Sequence, residues 1–212
     1  MIRGVVFDFD GTLVVSNQIK RNAFLELAEG FPNGRALMDV ILREADDRDR
    51  YWIFDAFARR LQDGADASRL AERYTVICEE LIAAAPEVTG ARASLEHLLQ
   101  SGKKLFLNSA TPAGPLAALA HLRRLDDLFE GIYGAPAKKH ENLAAIRAHS
   151  GYAPKELLVV GDGESDRFSA EIAGSYFVAV ENHHNNFIKK PTCSIPDMTR
   201  LPEIVAYMCS RR

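Results

Sequence analysis

The stretch Ile2-Arg3-Gly4-Val5-Val6-Phe7-Asp8-Phe9-Asp10-Gly11-Thr12 decides the fold. It opens on a short β-branched and aromatic run, and two carboxylates and a glycine follow at once. Such a run reads as a buried strand that stops at a Gly turn. Strand followed by polar cluster recurs downstream. Lys104-Leu105-Phe106-Leu107 runs into Asn108-Ser109, and Leu157-Leu158-Val159-Val160 runs into Gly161-Asp162. Residues 131–134 and 176–180 read as further strands. Helical spacing lies between them at about 91–101, 114–124, 140–149 and 165–173, and again at about 202–209. Strands alternating with helices imply right-handed crossovers and a mainly parallel, Rossmann-like α/β sheet. Ligands bind such sheets beyond the carboxyl ends of the strands. Asp8 and Asp10, Ser109, and Asp162 with Asp166 all belong to that edge.

Between about Asn17 and Ala85 the rhythm is helical throughout. The stripes are Ala23, Phe24, Leu27 and Ala28; Leu37, Val40, Ile41 and Ala45; Ile53, Phe54, Phe57 and Leu61; and Leu70, Tyr74, Ile77 and Leu81. Pro32-Asn33-Gly34, the 46–50 stretch and Asp63-Gly64 mark breaks. The chain therefore divides into an α/β core domain, 1–14 with 87–212, and a helical domain, 15–86, inserted after the first strand.

Composition narrows the function. The 212 residues are 47% hydrophobic and 26% charged, and the formal net charge is −3. These values describe an ordinary globular protein with no general affinity for nucleic acid. Cys78, Cys193 and Cys209 are far apart and form no CxxC, which argues against a disulfide framework or a zinc site and for a reducing compartment. No stretch is long and apolar enough to span a bilayer, and Asp8 and Asp10 end the first apolar run too early for a signal peptide. A cytoplasmic protein, monomeric or homodimeric, is expected.

In its motifs the chain resembles the haloacid dehalogenase superfamily, in its phosphatase branch. The DxDGT motif of that family matches Asp8-Phe9-Asp10-Gly11-Thr12. The Ser or Thr after a later strand matches Ser109, within Leu107-Asn108-Ser109-Ala110-Thr111-Pro112. The lysine ahead of a helix matches Lys138 or Lys139; Lys139 is favoured because it leads directly into the helix. The GDxxxD motif matches Gly161-Asp162-Gly163-Glu164-Ser165-Asp166. Order and spacing agree across nearly the whole chain. The resemblance implies hydrolysis of a small phosphorylated metabolite through an aspartyl-phosphate on Asp8. It also implies a Mg²⁺ ion on Asp8, Asp162 and the backbone carbonyl of Asp10, and it makes the helical insert a cap over the core site.

The chemistry suits these residue types. A phosphomonoester repels nucleophiles, so its site needs cations, and Mg²⁺ takes one or two carboxylates while keeping its waters. Asp10, two residues beyond Asp8 in extended chain, projects to the same side and can act as acid and then base. Ser109 and the lysine would hold the transferring oxygens, with Gly11, Thr12 and Asn108 completing the phosphate cradle. Asp166 would fix the lysine or a metal-bound water.

Other features read more plainly. His183-His184, among Asn182, Asn185 and Asn186, forms a polar loop rather than a metal site. Tyr51 and Trp52 read as a helix surface with one buried face. Lys20, Arg21, Arg43, Arg48 and Arg50 are possible substrate contacts of the insert, and the sequence does not choose among them. Val15 replaces the second Asp of the common DGTLxDS entry to such inserts. The competing readings are a phosphosugar mutase of the same fold and a non-catalytic Mg²⁺-binding protein. Product analysis separates the first, and an intact motif set speaks against the second.

Overall fold

The computed structural model describes residues 1–45, 48–61, 64–183, 185 and 187–210. It divides into two compact units, Met1–Val15 with Ala85–Arg212, and Ser16–Ala84. The first break lies one residue later than the expected 14/15. The second lies two residues earlier than the expected 86/87. The connecting segments pair within the first unit, where Val15 N donates to Pro86 O (2.9 Å) and Val88 N to Leu13 O (2.9 Å).

In the α/β unit, β1 (Gly4–Phe7) lies between β2 (Lys104–Pro112) and β4 (Leu157–Gly161). With β3 (Gly131–Ala135), β5 (Tyr176–Val180) and β6 (Ser194–Ile195), the sheet order is β3-β2-β1-β4-β5-β6, and every pairing is parallel. Phe7 stands level with Leu107 and Val160, so β1, β2 and β4 deliver their next residues to one edge. All four residues of β1 and all five of β4 are buried, which is why both strands read as unbroken apolar runs rather than alternating ones. Val6, Phe106 and Val159 share a cluster with Leu143 and Ile146 of α7 (Lys139–Ser150) and Ala170 of α8 (Glu164–Ala173). Helices α5 (Ala91–Gln100), α6 (Ala113–Leu122) and α9 (Leu201–Ser210) complete this unit, with α5 against β2 and α9.

Two elements depart from the expected pattern. β2 continues to Pro112 because its pairing with β3 resumes at Pro112–Ala135, after an irregularity beyond Asn108. β6 went unanticipated. It is two residues long and is held by pairing with Ala179 and Val180, a tertiary contact with no periodic trace.

The other unit consists of α1 (Asn17–Ala28), α2 (Gly34–Glu44), α3 (Arg50–Arg60) and α4 (Ala67–Ala84). Ala23, Phe24, Leu27 and Ala28 are buried, as are Ile53, Phe54 and Phe57. Two stripes need correction. In α2 the buried residues are Gly34, Met38 and Ile41, while Val40 is exposed. In α4 they are Leu70, Ala71, Tyr74, Cys78 and Ile82, while Leu81 is exposed. Apolar residues occupy both candidate phases there, so periodicity alone could not select the inner one. Phe24, Phe54 and Tyr74 form an aromatic centre, with ring centroids 4.1–5.8 Å apart. Among the described residues, no helix is long and apolar enough to cross a membrane.

The five cations proposed for this unit have different surroundings. Arg21 and Arg43 both pair with Asp39. Arg48 lies over the Trp52 ring at 5.4 Å. Arg50 is buried over Tyr74 at 4.9 Å and donates to Thr75 Oγ1 at 2.7 Å. Lys20 is half-buried, and Tyr51 is exposed. The breaks read at 46–47 and at Asp63 lie outside the described residues, as do His184 and Asn186.

Candidate active site

β1 ends where Asp8 N donates to Val160 O (2.9 Å), which ties the turn after β1 to β4. Leu13 N and Val14 N return to Phe9 O at 3.0 and 3.1 Å, and Gly11 N donates to Val14 O at 2.8 Å. Gly11 has φ +75°, a conformation open to glycine at no steric cost. This tight reversal buries Asp8, Asp10 and Thr12 together.

Lys139 is the first residue of α7 and is buried. Its Nζ lies 2.8 Å from Asp8 Oδ1 and 2.9 and 3.1 Å from the two oxygens of Asp166. Lys138 is exposed, and its main-chain N–H donates to Glu141 Oε2. Of the two adjacent lysines, then, the structure brings Lys139 to the carboxylates. Asp166 stands in the first turn of α8 and accepts from Gly163 N at 3.3 Å. Its position depends on Gly161. A Cβ on Gly161 would lie 2.2 Å from Asp166 Cγ and 2.4 Å from its Oδ2.

Burial pushes the Asp8 carboxyl up to about 6; Lys139 opposes that rise, and Asp162 and Asp10 add to it. Burial likewise lifts Asp166 to about 7 against the pull of Lys139. For Lys139 burial works against the charge, but Asp166 and Asp8 outweigh it and raise its pKa, so the ammonium stays charged.

Asp162 follows β4. Its Oδ1 receives the Thr12 hydroxyl at 3.5 Å, and its Oδ2 receives Asn182 Nδ2 at 2.6 Å. On β2, Ser109 Oγ accepts from Thr111 N at 3.1 Å, and the Thr111 hydroxyl donates to Asp10 Oδ2 at 3.0 Å. The Asn108 side chain is engaged with α7. Its Nδ2 donates to Lys139 O (2.9 Å), and its Oδ1 accepts from Asn142 (3.1 Å). Asn108 thus fixes the start of α7, and with it the lysine.

Carboxylate oxygens of Asp8, Asp162 and Asp166 lie within 4.8 Å of one another. Hard oxygen donors so placed, at least one of them destabilised by its neighbours' charge, suit a hard divalent cation. Asp10 is not in this side-chain group; the expectation for it was its carbonyl.

Thr111, Asn182 and Asn185 were not foreseen as site residues. Thr111 carried a signal, since it stands two residues beyond Ser109. Asn182 and Asn185 follow β5, whose end lies at the same sheet edge, but an Asn-rich run reads first as loop. His183 is exposed, as a polar loop requires.

Known proteins resemble this chain in sequence and in fold. The family model described as haloacid dehalogenase-like hydrolase matches residues 2–174. A phosphoglycolate phosphatase of Cereibacter sphaeroides is 33% identical over 184 residues, covering 82% of this chain and 83% of that protein. Among solved structures, a protein described as a predicted phosphoglycolate phosphatase from Haemophilus somnus superimposes with a TM-score of 0.80 at 18% identity, over 96% of this chain and 98% of that one. CbbY from Rhodobacter sphaeroides, in complex with phosphate, gives 0.76 at 17% identity, over 95% and 96%.

Proposed function

Since the chain belongs to the haloacid dehalogenase-like hydrolase family, and within it is a phosphatase, we propose that it hydrolyses a small phosphomonoester with Asp8 as nucleophile and Mg²⁺ as cofactor. The observation that carries this reading is the meeting of Asp8, Asp162, Asp166 and Lys139 at the carboxyl edge of β1 and β4.

In the first step an Asp8 oxygen attacks phosphorus, and the P–O bond to the leaving group breaks. Asp10 gives its proton to the departing alkoxide. In the second step Asp10 takes a proton from water as the water oxygen attacks the aspartyl-phosphate. The P–O bond to Asp8 then breaks, releasing phosphate and restoring both carboxyl groups. Lys139, charged and rigidly held, stabilises the equatorial phosphate oxygens together with Ser109. Asp166 keeps Lys139 in place, and Thr111 keeps Asp10 in place. Asp8, Asp162 and the Asp10 carbonyl would hold Mg²⁺, which when bound screens the repulsion between Asp8 and the phosphate. The helical unit carries substrate selection.

Phosphoglycolate is the first substrate to try, given the 33% identical relative. The test is phosphate release from a panel of phosphorylated metabolites, with and without Mg²⁺, by wild type and Asp8→Asn. Release that needs Mg²⁺ and vanishes in Asp8→Asn is expected. Undiminished release by Asp8→Asn would remove Asp8 as nucleophile. Transfer of the phosphoryl group back to a sugar hydroxyl would replace hydrolase by mutase.

A further inference from the structure

We infer that Asn182 is a positioning residue for the metal ligand Asp162, and that the loop after β5 thereby sets the affinity of the core site for its divalent cation. The inference rests on the proposed role of Asp162 as a ligand.

Asn182 Nδ2 donates to Asp162 Oδ2 at 2.6 Å. Asn185 Nδ2 donates to the Asp162 main-chain carbonyl at 2.7 Å and to Val180 O at 3.2 Å. Asn182 N donates to Asn185 Oδ1 at 2.7 Å, which locks the two amides together. One loop therefore grips both the side chain and the main chain of Asp162. The loop is itself anchored, because β5 pairs in register with β4 up to Ala179–Gly161 and Glu181 N donates to Ile195 O at 2.8 Å. The short strand β6 thus helps to hold the residue that holds Asp162.

The donor type matters. A carboxylate left to rotate must lose that freedom when a cation binds, whereas one already pinned has lost it. A lysine could pin Asp162 too, but its charge would compete with the cation. The amide of Asn182 fixes the orientation while adding no net charge, so the carboxylate charge of Asp162 remains for the metal, whereas that of Asp8 is shared with Lys139.

The test is Mg²⁺ binding by titration calorimetry on the full chain, with metal-free melting temperature measured in parallel. Asn182→Ala is expected to weaken Mg²⁺ binding on the order of 10–100-fold, the range typical of a lost outer-shell partner. The metal-free protein should stay folded with only a modest fall in melting temperature, and kcat should return toward wild type at saturating Mg²⁺. Asn182→Ser, which keeps the loop polar, serves if the alanine variant does not fold, and the same loss is expected of it. A metal-free melting temperature that drops while Mg²⁺ affinity stays at wild type would overturn the inference and leave Asn182 a loop tie. Asp162→Asn is the control for the premise. If Asp162→Asn binds Mg²⁺ like wild type, the ligand assignment itself fails. If Asp162→Asn loses Mg²⁺ and Asn182→Ala keeps it, only the positioning role fails.

Discussion

Gly161→Ala is the sharpest probe of how the strand edge builds the site. The new Cβ would sit 2.2 Å from Asp166 Cγ and 2.5 Å from its Cβ, where ordinary contact begins at 3.4 Å, so the carboxylate has to retreat by about 1.2 Å and the first turn of α8 has to shift with it. A retreat of that size stretches its bonds to Lys139, now 2.9 and 3.1 Å, beyond hydrogen-bonding range. Overpacking of this kind costs typically about 1–3 kcal/mol of stability. Displacing a group that orients the site by about 1 Å lowers turnover on the order of 100-fold. The assay is a double-mutant cycle with Asp166→Gly, which removes the Cβ together with the carboxylate, reading kcat/KM and melting temperature for all four proteins. Once Gly161→Ala has displaced Asp166, removing the carboxylate should add little, so the two losses should not sum. Additive losses would refute the reasoning, because Gly161 would then act through something other than Asp166. So would a single variant whose kcat/KM stays within about threefold of wild type, roughly 0.6 kcal/mol.

Three further outcomes follow from the same geometry. Lys139→Met leaves two buried carboxylates without their ammonium and should destabilise the metal-free protein by about 3–5 kcal/mol at pH 8, with a smaller loss at pH 5; calorimetric or chemical unfolding at both pH values reads this. Thr111→Val removes the hydroxyl that orients Asp10 and should lower kcat roughly tenfold, about 1.4 kcal/mol, with KM unchanged; steady-state kinetics decides it, and a change confined to KM would reject the role. Asp8 and Asp166 stand at about 6 and about 7 in the folded protein, above the ordinary 3.8. Their contribution to metal-free stability is therefore full below about pH 4 and is lost as pH rises through 6 and 7. The same loss of protons frees the carboxylates for a cation. Added Mg²⁺ should raise the melting temperature more at pH 8 than at pH 5, and a larger shift at pH 5 would contradict this order.

The parallel sheet and the residues at its edge can be read directly from the chain. Val5, Val6 and Phe7, and Leu157 to Val160, are apolar without interruption because both faces of their strands are buried, and a run of that kind must stop where the sheet stops. Asp8, Asp10, Asp162 and Asp166 were legible for the same reason, being the first polar residues beyond those ends or one helical turn on. Other features belonged to the tertiary structure. Lys138 and Lys139 are chemically identical neighbours, and only the entry angle of α7, fixed by Asn108 and Asn142, turns one inward and the other out. Val40 and Leu81 fit a helical stripe as well as Met38 and Ile82 do, and the packing of α1, α2, α3 and α4 on one another chose between the phases. Asn182 reads as loop until β5 is seen beside β4, because a hydrogen bond across 20 residues leaves no period in the chain. Local pattern records which face of a strand or helix is apolar. Which polar group meets which depends on distances between elements that only the folded sheet sets.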